Sequence, residues 1–497
     1  MEAVIAKLTE IVAFINDNIL WGIPMILAIL GTGILLTIRT RALQVRKFGV
    51  SIKTTIVPTI KSMKKSDKEK KKGEKTISQF EAFAAAISGT VGTGNIVGVA
   101  TAMIAGGPGA VFWMWVSAFF GLVTNYSENV LGLYFRKKDK DGNVSGGPMY
   151  YISQGLGLRW LALIFALCCS LAAVGMGMVQ SNSISGTFQD TIARGDANVA
   201  KIVAIISGVV VAGLAALIII GGIKRIGRVA SMIVPFMAVL FILGALIIIC
   251  INITAIPAAF AMIFSSAFSF EAVGGGILGY GIARAMRYGF ARGVFSNEAG
   301  LGSSVIAHSA SDTKEPVKQG LWGIFEVFLD TFVICTMTAL SLLTACIGNG
   351  KVLDGSVTPS YAFQQTFGIT GEIIFSIILP LFAFTTIMAW SYYGEKAVGY
   401  LFGEKREKVA TTTFKILYVL LLVVGAVTKS DLVWGLDDMF NAAMALPNLI
   451  SLIFLSGLIV KISKNYFDRK RGLSVEPMLS AYPERNKELA AELDLED

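Results

Sequence analysis

The stretch Ser88-Gly89-Thr90-Val91-Gly92-Thr93-Gly94-Asn95 combines hydroxyls, an amide and three glycines inside an apolar segment running from Phe80 to Ile104. The segment is long enough to cross a bilayer. Glycine weakens a helix, and a run of it at membrane depth frees backbone N–H and C=O groups. Such groups are tolerated in hydrocarbon only where they line a cavity or are buried in protein. Freed amides at a half-helix N-terminus favour an anion, and freed carbonyls favour a cation. Small residues would also serve a close helix-packing face, but Asn95 and the hydroxyls favour a binding site.

The other residues able to do chemistry are carboxylates. Glu128, Glu326 and Asp330 fall within apolar spans, the last two one helical turn apart. An ionisable side chain there is functional or paired by default. These three could relay protons, bind a cation, or lock helices by bonding to Arg284, Arg287 or Arg292, and the structural use is the favoured one. His308, the only histidine, suits hydrogen-bonded packing better than proton transfer. Cys168, Cys169, Cys250, Cys335 and Cys346 lie in or beside apolar stretches without metal-ligand spacing, so they read as small core residues rather than disulfide or zinc cysteines. No nucleophile–base pair or metal set stands out, which makes an enzyme the least favoured class.

The elements that must hold these residues are membrane helices. The chain of 497 residues is 54% apolar and 15% charged, with a mean hydropathy of +0.67, which excludes an ordinary soluble enzyme. Apolar spans are expected at Ile19–Ile38, Phe80–Ile104, Val111–Phe135, Leu161–Val179, Val199–Ile220, Val229–Ile251, Leu321–Ile347, Glu372–Tyr392, Thr411–Val427 and Leu432–Val460. One further crossing within 252–320 brings the expected total to 11. The net charge of +9 resides mostly in inter-helix loops, so it is assigned to membrane orientation and not to a nucleic-acid partner. Basic stretches (Arg39–Lys75, Arg136–Lys138, Lys224–Arg228, Lys405–Lys408 and the tail from Lys461) alternate with loops poor in net positive charge (Asp190–Asp196, Gly348–Gly371, Lys429–Asp438). That alternation predicts a multi-pass cell-membrane protein with its N-terminus outside and its C-terminus cytoplasmic. No cleavable signal peptide is expected, and the lysine run at 61–75 reads as a solvated cytoplasmic loop.

An internal repeat organises the spans. Displaced by 208 positions, Ser88 falls on Ser296, Gly92 on Gly300, Gly94 on Gly302, Val97 on Val305, Pro108 on Pro316 and Phe120 on Phe328, and the later spans fall on one another. Five helices therefore repeat as five helices, and an odd number of crossings inverts the second copy. An inverted repeat is the signature of secondary transporters whose site lies between the copies. It argues against a channel, which needs a continuous pore ring. The repeat places a second break at Ser296-Asn297-Glu298-Ala299-Gly300-Leu301-Gly302, with Gly274-Gly275-Gly276 as the competing position. The resulting division is 1–79 for an extra N-terminal transmembrane helix and basic loop, 80–251 for the first repeat, 252–285 for an extracellular connection with an apolar surface helix at Ile256–Phe270, 286–461 for the second repeat and 462–497 for a cytoplasmic tail.

Two stretches resemble a known family. Gly106-Gly107-Pro108-Gly109-Ala110-Val111-Phe112-Trp113-Met114-Trp115 looks like the signature of the sodium:alanine (alanine/glycine:cation) symporter family, and Arg292-Gly293-Val294-Phe295-Ser296-Asn297-Glu298-Ala299-Gly300 looks like its second typical stretch. The resemblance implies sodium-coupled uptake of alanine or glycine by a leucine-transporter-like (LeuT) fold, here all-α with 5+5 inverted helices and one extra N-terminal helix. Val91-Gly92-Thr93-Gly94-Asn95 is similar to the break in that fold's first core helix. By that likeness Thr93 and Gly94, with Thr90 nearby, would hold the substrate carboxylate, and carbonyls of Ser296–Gly300, including Asn297, would face its ammonium. Thr385 and Thr386 resemble the fold's sodium motif, with carbonyls of Ser88, Val91 and Phe382 completing a hard oxygen set; alone, a threonine pair would back-bond to its own helix. Trp390, one turn beyond Thr386, would either cap a pocket sized for alanine or glycine or sit at the membrane interface. Gln180, placed at the end of the third core helix, would contact substrate or face water. A proton-coupled transporter of the same fold, using a carboxylate such as Asp330, is the alternative; an ion channel or a transport-fold sensor comes after it.

Overall fold

The computed structural model describes residues 2–16, 20–63, 76–138, 144–269, 280–354 and 357–494. It is mostly helical. In chain order the helices are α1 (Glu2–Ile15), α2 (Ile23–Arg39), α3 (Leu43–Arg46), α4 (Phe48–Met63), α5 (Gln79–Thr90), α6 (Val97–Gly106), α7 (Ala110–Tyr134), α8 (Pro148–Gly155), α9 (Arg159–Phe188), α10 (Ala197–Ile219) and α11 (Gly222–Ile251). They continue as α12 (Ile256–Ala267), α13 (Tyr280–Asn297), α14 (Val305–His308), α15 (Pro316–Val327), α16 (Thr336–Gly348), α17 (Tyr361–Phe367), α18 (Ile369–Phe402), α19 (Glu407–Val427), α20 (Ser430–Arg469) and α21 (Pro483–Asp494). The one sheet among the described residues is a short antiparallel hairpin pairing Lys137 with Ser145.

Seven helices among the described residues are long and apolar enough to cross a membrane, including α10, α11 and α19. These three turn large apolar side chains outward, among them Val209, Leu217, Phe236, Leu243, Ile416 and Leu420, as a surface facing hydrocarbon must. The helix α7 is different. Its run from Thr124 to Asn129 is polar and buried, so it is an interior helix. Along α9, the helices α18 and α20 pack closely. In the family-like stretch, Trp113 Nε1 donates to Ala267 O at 3.2 Å and Trp115 Nε1 to Thr336 Oγ1 at 2.8 Å. A Cβ on Gly109 would lie 2.3 Å from the backbone of Ala267. That motif therefore seats α7 against α12 and α16 and does not itself form a site.

The repeat is visible in the element boundaries. Displaced by 208 positions, the start of α6 falls on the start of α14, the end of α10 on the end of α19, and the start of α11 on the start of α20. The second copy is shorter where α14 replaces α6, a single turn in place of ten residues. Both breaks follow the glycines. The helix α5 starts on a capping box, in which Ser78 Oγ accepts from Glu81 N and Glu81 Oε2 accepts from Ser78 N. It runs out at Thr90, and α13 runs out at Asn297.

Several expected boundaries move. An unexpected helix, α1, precedes the first apolar helix, α2, which begins at Ile23; the expected start at Ile19 lies outside the described residues. The third core helix continues past Val179 to Phe188, because Ser181, Asn182 and Ser183 bond to carbonyls of α19 and of α9 itself and so do not end the helix. The helix α20 begins at Ser430, so Asp437 and Asp438, which fall where the expected loop Lys429–Asp438 overlaps the expected span Leu432–Val460, are helical. The division at residue 286 cuts α13, which begins at Tyr280. The alternative break at Gly274–Gly276 and the lysines at 64–75 lie outside the described residues.

Candidate functional site

At the first break the backbone leaves the helix at Val91 (φ −83°, ψ 88°), passes through one turn of 3-10 helix at Thr93–Asn95 and resumes as α6. The Gly92 amide, which in an unbroken helix would bond Ser88 O, instead donates to Asn95 Oδ1 at 2.9 Å. Ser88 O is thereby released and accepts the Thr386 hydroxyl at 3.0 Å. The same hydroxyl lies 3.1 Å from Phe382 O, and Thr385 Oγ1 lies 2.9 Å from it. Two backbone carbonyls and two hydroxyls from α5 and α18 thus form one buried oxygen cluster. Only glycine permits it, since a Cβ at residue 92 would sit 2.5 Å from Thr386 Oγ1.

Thr93 lies on the other side of the break. Its amide donates to Gln180 Oε1 at 3.2 Å, and its hydroxyl is buried without a hydrogen-bond partner. Buried polar atoms are paired in the great majority of cases, so an orphan inside a helix break points to a ligand or water. Gln180 is buried in the interior of α9, neither at a helix end nor facing water. Gly94 brings the two breaks together, because a Cβ there would lie 3.0 Å from Phe295 of α13. Phe295 stacks on Trp434 with ring centroids 5.3 Å apart. Trp434 lines a cavity of about 500 Å³ that also reaches Val97, Asn182, Thr187, Ser376 and Leu379. The Thr90 hydroxyl returns to Ile87 O at 3.2 Å.

The second break is paired almost throughout. Gly300 (φ +96°) donates its N–H to Glu128 Oε1 at 2.9 Å, and its carbonyl accepts from Asn448 Nδ2 at 2.9 Å. Tyr151 OH bonds Asn448 Oδ1. Ser296 Oγ reaches both Asp330 oxygens at 3.1 and 2.9 Å, and Asn95 Nδ2 donates to Asp330 Oδ1 at 2.6 Å. Asn297 Nδ2 donates to Thr331 Oγ1, and its Oδ1 accepts from Ala299 N. Asp330 sits in a π-helical stretch, Phe328–Cys335, a distortion frequent at functional sites; here it joins the two breaks through Asn95 and Ser296.

The structure corrects three expectations. The intramembrane carboxylates do not pair with the arginines of α13. Glu128 takes Gly300 and Asn448, Glu326 takes His308 at 2.6 Å, and Asp330 takes amide and hydroxyl donors. Arg292 instead forms a two-pronged pair with Asp438 at 2.9 and 2.8 Å. Trp390 is fully buried and donates to Glu298 Oε1 at 2.9 Å, which removes the interfacial reading. The Ser296–Gly300 segment does not leave its carbonyls uniformly free, because Gly300 O is held by Asn448. Sequence reasoning passed over Glu298, Asp437, Asn441 and Asn448. The signal for Glu298 was its place inside the break itself. The other three share one face of α20, at spacings of four and seven, a polar stripe inside the expected span Leu432–Val460.

The profile of the sodium:alanine symporter family matches residues 5–479. The chain is 42% identical over 468 residues to the sodium/alanine symporter AgcS of Methanococcus maripaludis, covering 92% of this chain and 97% of that one. It is 38% identical over 485 residues, 95% of each chain, to YrbD of Bacillus subtilis, named as a candidate sodium/proton-dependent alanine carrier. Among solved structures it resembles MhsT in complex with L-phenylalanine at a TM-score of 0.53, with 14% identity, covering 78% of this chain and 98% of that one. At that identity the likeness gives the fold alone, which is leucine-transporter-like.

Proposed function

The chain belongs to the sodium:alanine symporter family, and from that premise we propose that it couples sodium entry to uptake of a small neutral amino acid, alanine or glycine, at the first helix break. It is a membrane-embedded amino-acid transporter and not an enzyme. In this reading sodium binds the oxygen cluster of Ser88, Phe382, Thr385 and Thr386, with the carbonyl of Val91 as a further ligand. The substrate carboxylate lies at Thr93 and Gly94 beside Gln180 and Thr90, and the Ser296–Asn297–Gly300 segment with Trp390 closes the far side. The single observation that carries this is Gly92: it releases Ser88 O to the Thr386 hydroxyl and leaves room for no Cβ. Cation and substrate would then share one short segment, so occupancy of one shapes the other, and that shared shape is what couples their fluxes.

The proposed frame is 11 crossings in two inverted five-helix repeats, 80–251 and 286–461 with the latter extended back to Tyr280, plus α2 outside the repeat. The N-terminus would be outside and the C-terminus cytoplasmic. Proton coupling is the second reading, favoured by one observation, that Asp330 bridges both breaks. Uptake of radiolabelled alanine into proteoliposomes separates the two. Accumulation is expected with an inward sodium gradient and none with a proton gradient alone; accumulation driven by protons alone would refute sodium coupling.

A further inference from the structure

Beyond the first break, the buried side chains most short of partners are on α20. Asp437 and Asn441 are fully buried, and all four of their side-chain polar atoms lack a hydrogen-bond partner. Among the described residues Asp437 is the one carboxylate with both buried oxygens unpartnered; Glu128 and Glu326 each have one oxygen bonded, and Asp330 has both. A buried carboxylate without a partner is among the costliest arrangements in a membrane core. Spaced one turn apart, the two residues could bond each other, yet they do not. Buried polar atoms are paired in the great majority of cases, so four unpartnered ones on adjacent turns of one helix point to a bound ion or water.

No neighbour supplies the missing partner. The ionisable groups near Asp437 are Asp438, Arg292 and Glu298, and Glu298 is taken up by Ser303 and Trp390. Arg292 is committed to Asp438 through both of its terminal nitrogens. The Tyr418 hydroxyl, which also lies near, donates to Ile387 O. The opposite wall is Gly175 of α9, where a Cβ would lie 2.9 Å from Asp437 Oδ1. Gly175 and Gln180 are five residues apart on α9, about 7.5 Å of rise and about 140° of rotation. The carboxylate therefore faces a different side of α9 from the Thr93–Gln180 contact, and an amino acid as small as alanine held at that contact would not span both.

We propose that Asp437 and Asn441 form a second monovalent-cation site, for sodium, between α9 and α20 and separate from the Ser88–Thr386 cluster. A carboxylate with an amide oxygen is a hard donor set suited to such an ion. The inference rests on the sodium-coupled reading but concerns a different set of residues, and the test keeps the two apart. Radiolabelled sodium alone is titrated onto the purified full-length protein without amino acid. The expected result is about two sodium ions per chain for the wild type, one for Asp437→Asn, one for Thr386→Ala and none for the double variant. The ion retained by Asp437→Asn also reports that the variant is folded. Asn441→Ala, which keeps the carboxylate, is expected to weaken the second ion by about tenfold and to keep the first. Loss of sodium in Thr386→Ala with none lost in Asp437→Asn overturns the α20 site and leaves the first-break reading standing. Loss in Asp437→Asn with none lost in Thr386→Ala supports the α20 site and overturns the other. An Asp437→Asn protein with the wild-type sodium count and altered proton uptake assigns the carboxylate to protons and overturns the proposal.

Discussion

The two helix breaks descend from the same repeated pattern, and they have opposite hydrogen-bond inventories. At the first, a carbonyl is released by Gly92 and the Thr93 hydroxyl has no partner. At the second, Gly300, Ser296, Asn297 and Glu298 are all engaged, by Glu128, Asn448, Asp330, Thr331, Trp390 and Ser303. The first copy leaves the Thr93 hydroxyl unpaired and hands its released carbonyl to another helix, whereas the second is held by side chains on every side. The helix lengths match this division, since α6 continues for ten residues beyond the first break and α14 for a single turn beyond the second. Twin motifs in a sequence thus need not be twin sites; the difference lies in which neighbours reach them.

The largest effect that would sharpen the contrast is expected at Gly92. A Gly92→Ala side chain would overlap Thr386, and overpacking of about 1–3 kcal/mol at the cation cluster should cut sodium-driven uptake by up to about a hundredfold while the protein still elutes as a folded species. Near-normal uptake would remove Gly92 from the site. Next is Asn448→Ala at the second break, which leaves Glu128 and Gly300 O short of a donor. We expect a loss of stability of about 1–3 kcal/mol, read as a lower melting temperature, with the sodium concentration for half-maximal uptake unchanged; a shift in that concentration would make the second break a ligand site after all.

Within the first break, Thr386→Ala should raise the half-maximal sodium concentration by about tenfold or more, so that the first ion goes uncounted at the sodium concentration that just fills the wild-type sites, as expected for losing a ligand worth about 1.4 kcal/mol or more. Thr385→Ala should raise it less, because the Thr385 hydroxyl turns toward Phe382 O and Met237 and not toward Ser88. Equal shifts would contradict the asymmetry of the pair. The smallest effect is expected from Thr93→Val, a few-fold rise in the alanine concentration for half-maximal uptake with no fall in melting temperature, since the hydroxyl it removes has no protein partner. A drop in stability there would mean that Thr93 serves packing.

Much of this was readable from residues alone. The break at 88–95, the second break at 296–302 and a helix beginning at Ile256 follow from glycine placement, apolar runs and the 208-residue shift, because these depend on local backbone chemistry. The partners of the carboxylates were not readable. Glu128 meets Asn448, 320 positions away, and Asn95 meets Asp330, 235 positions away; such pairings are set by tertiary packing, which periodicity does not encode. Asp437 was hidden for a simpler reason. It sits where the expected loop Lys429–Asp438 overlaps the expected span Leu432–Val460, and burial against α9 holds it in the helix.

The most direct measurement is equilibrium binding of radiolabelled alanine to the purified protein as sodium is varied, for the wild type, Thr386→Ala and Asn448→Ala. If the first break holds ion and amino acid together, sodium tightens alanine binding in the wild type and in Asn448→Ala, and alanine tightens sodium binding by the same factor. That linkage disappears in Thr386→Ala. Alanine binding indifferent to sodium in the wild type, or linkage that survives Thr386→Ala intact, would contradict the assignment of the coupled site to the first break.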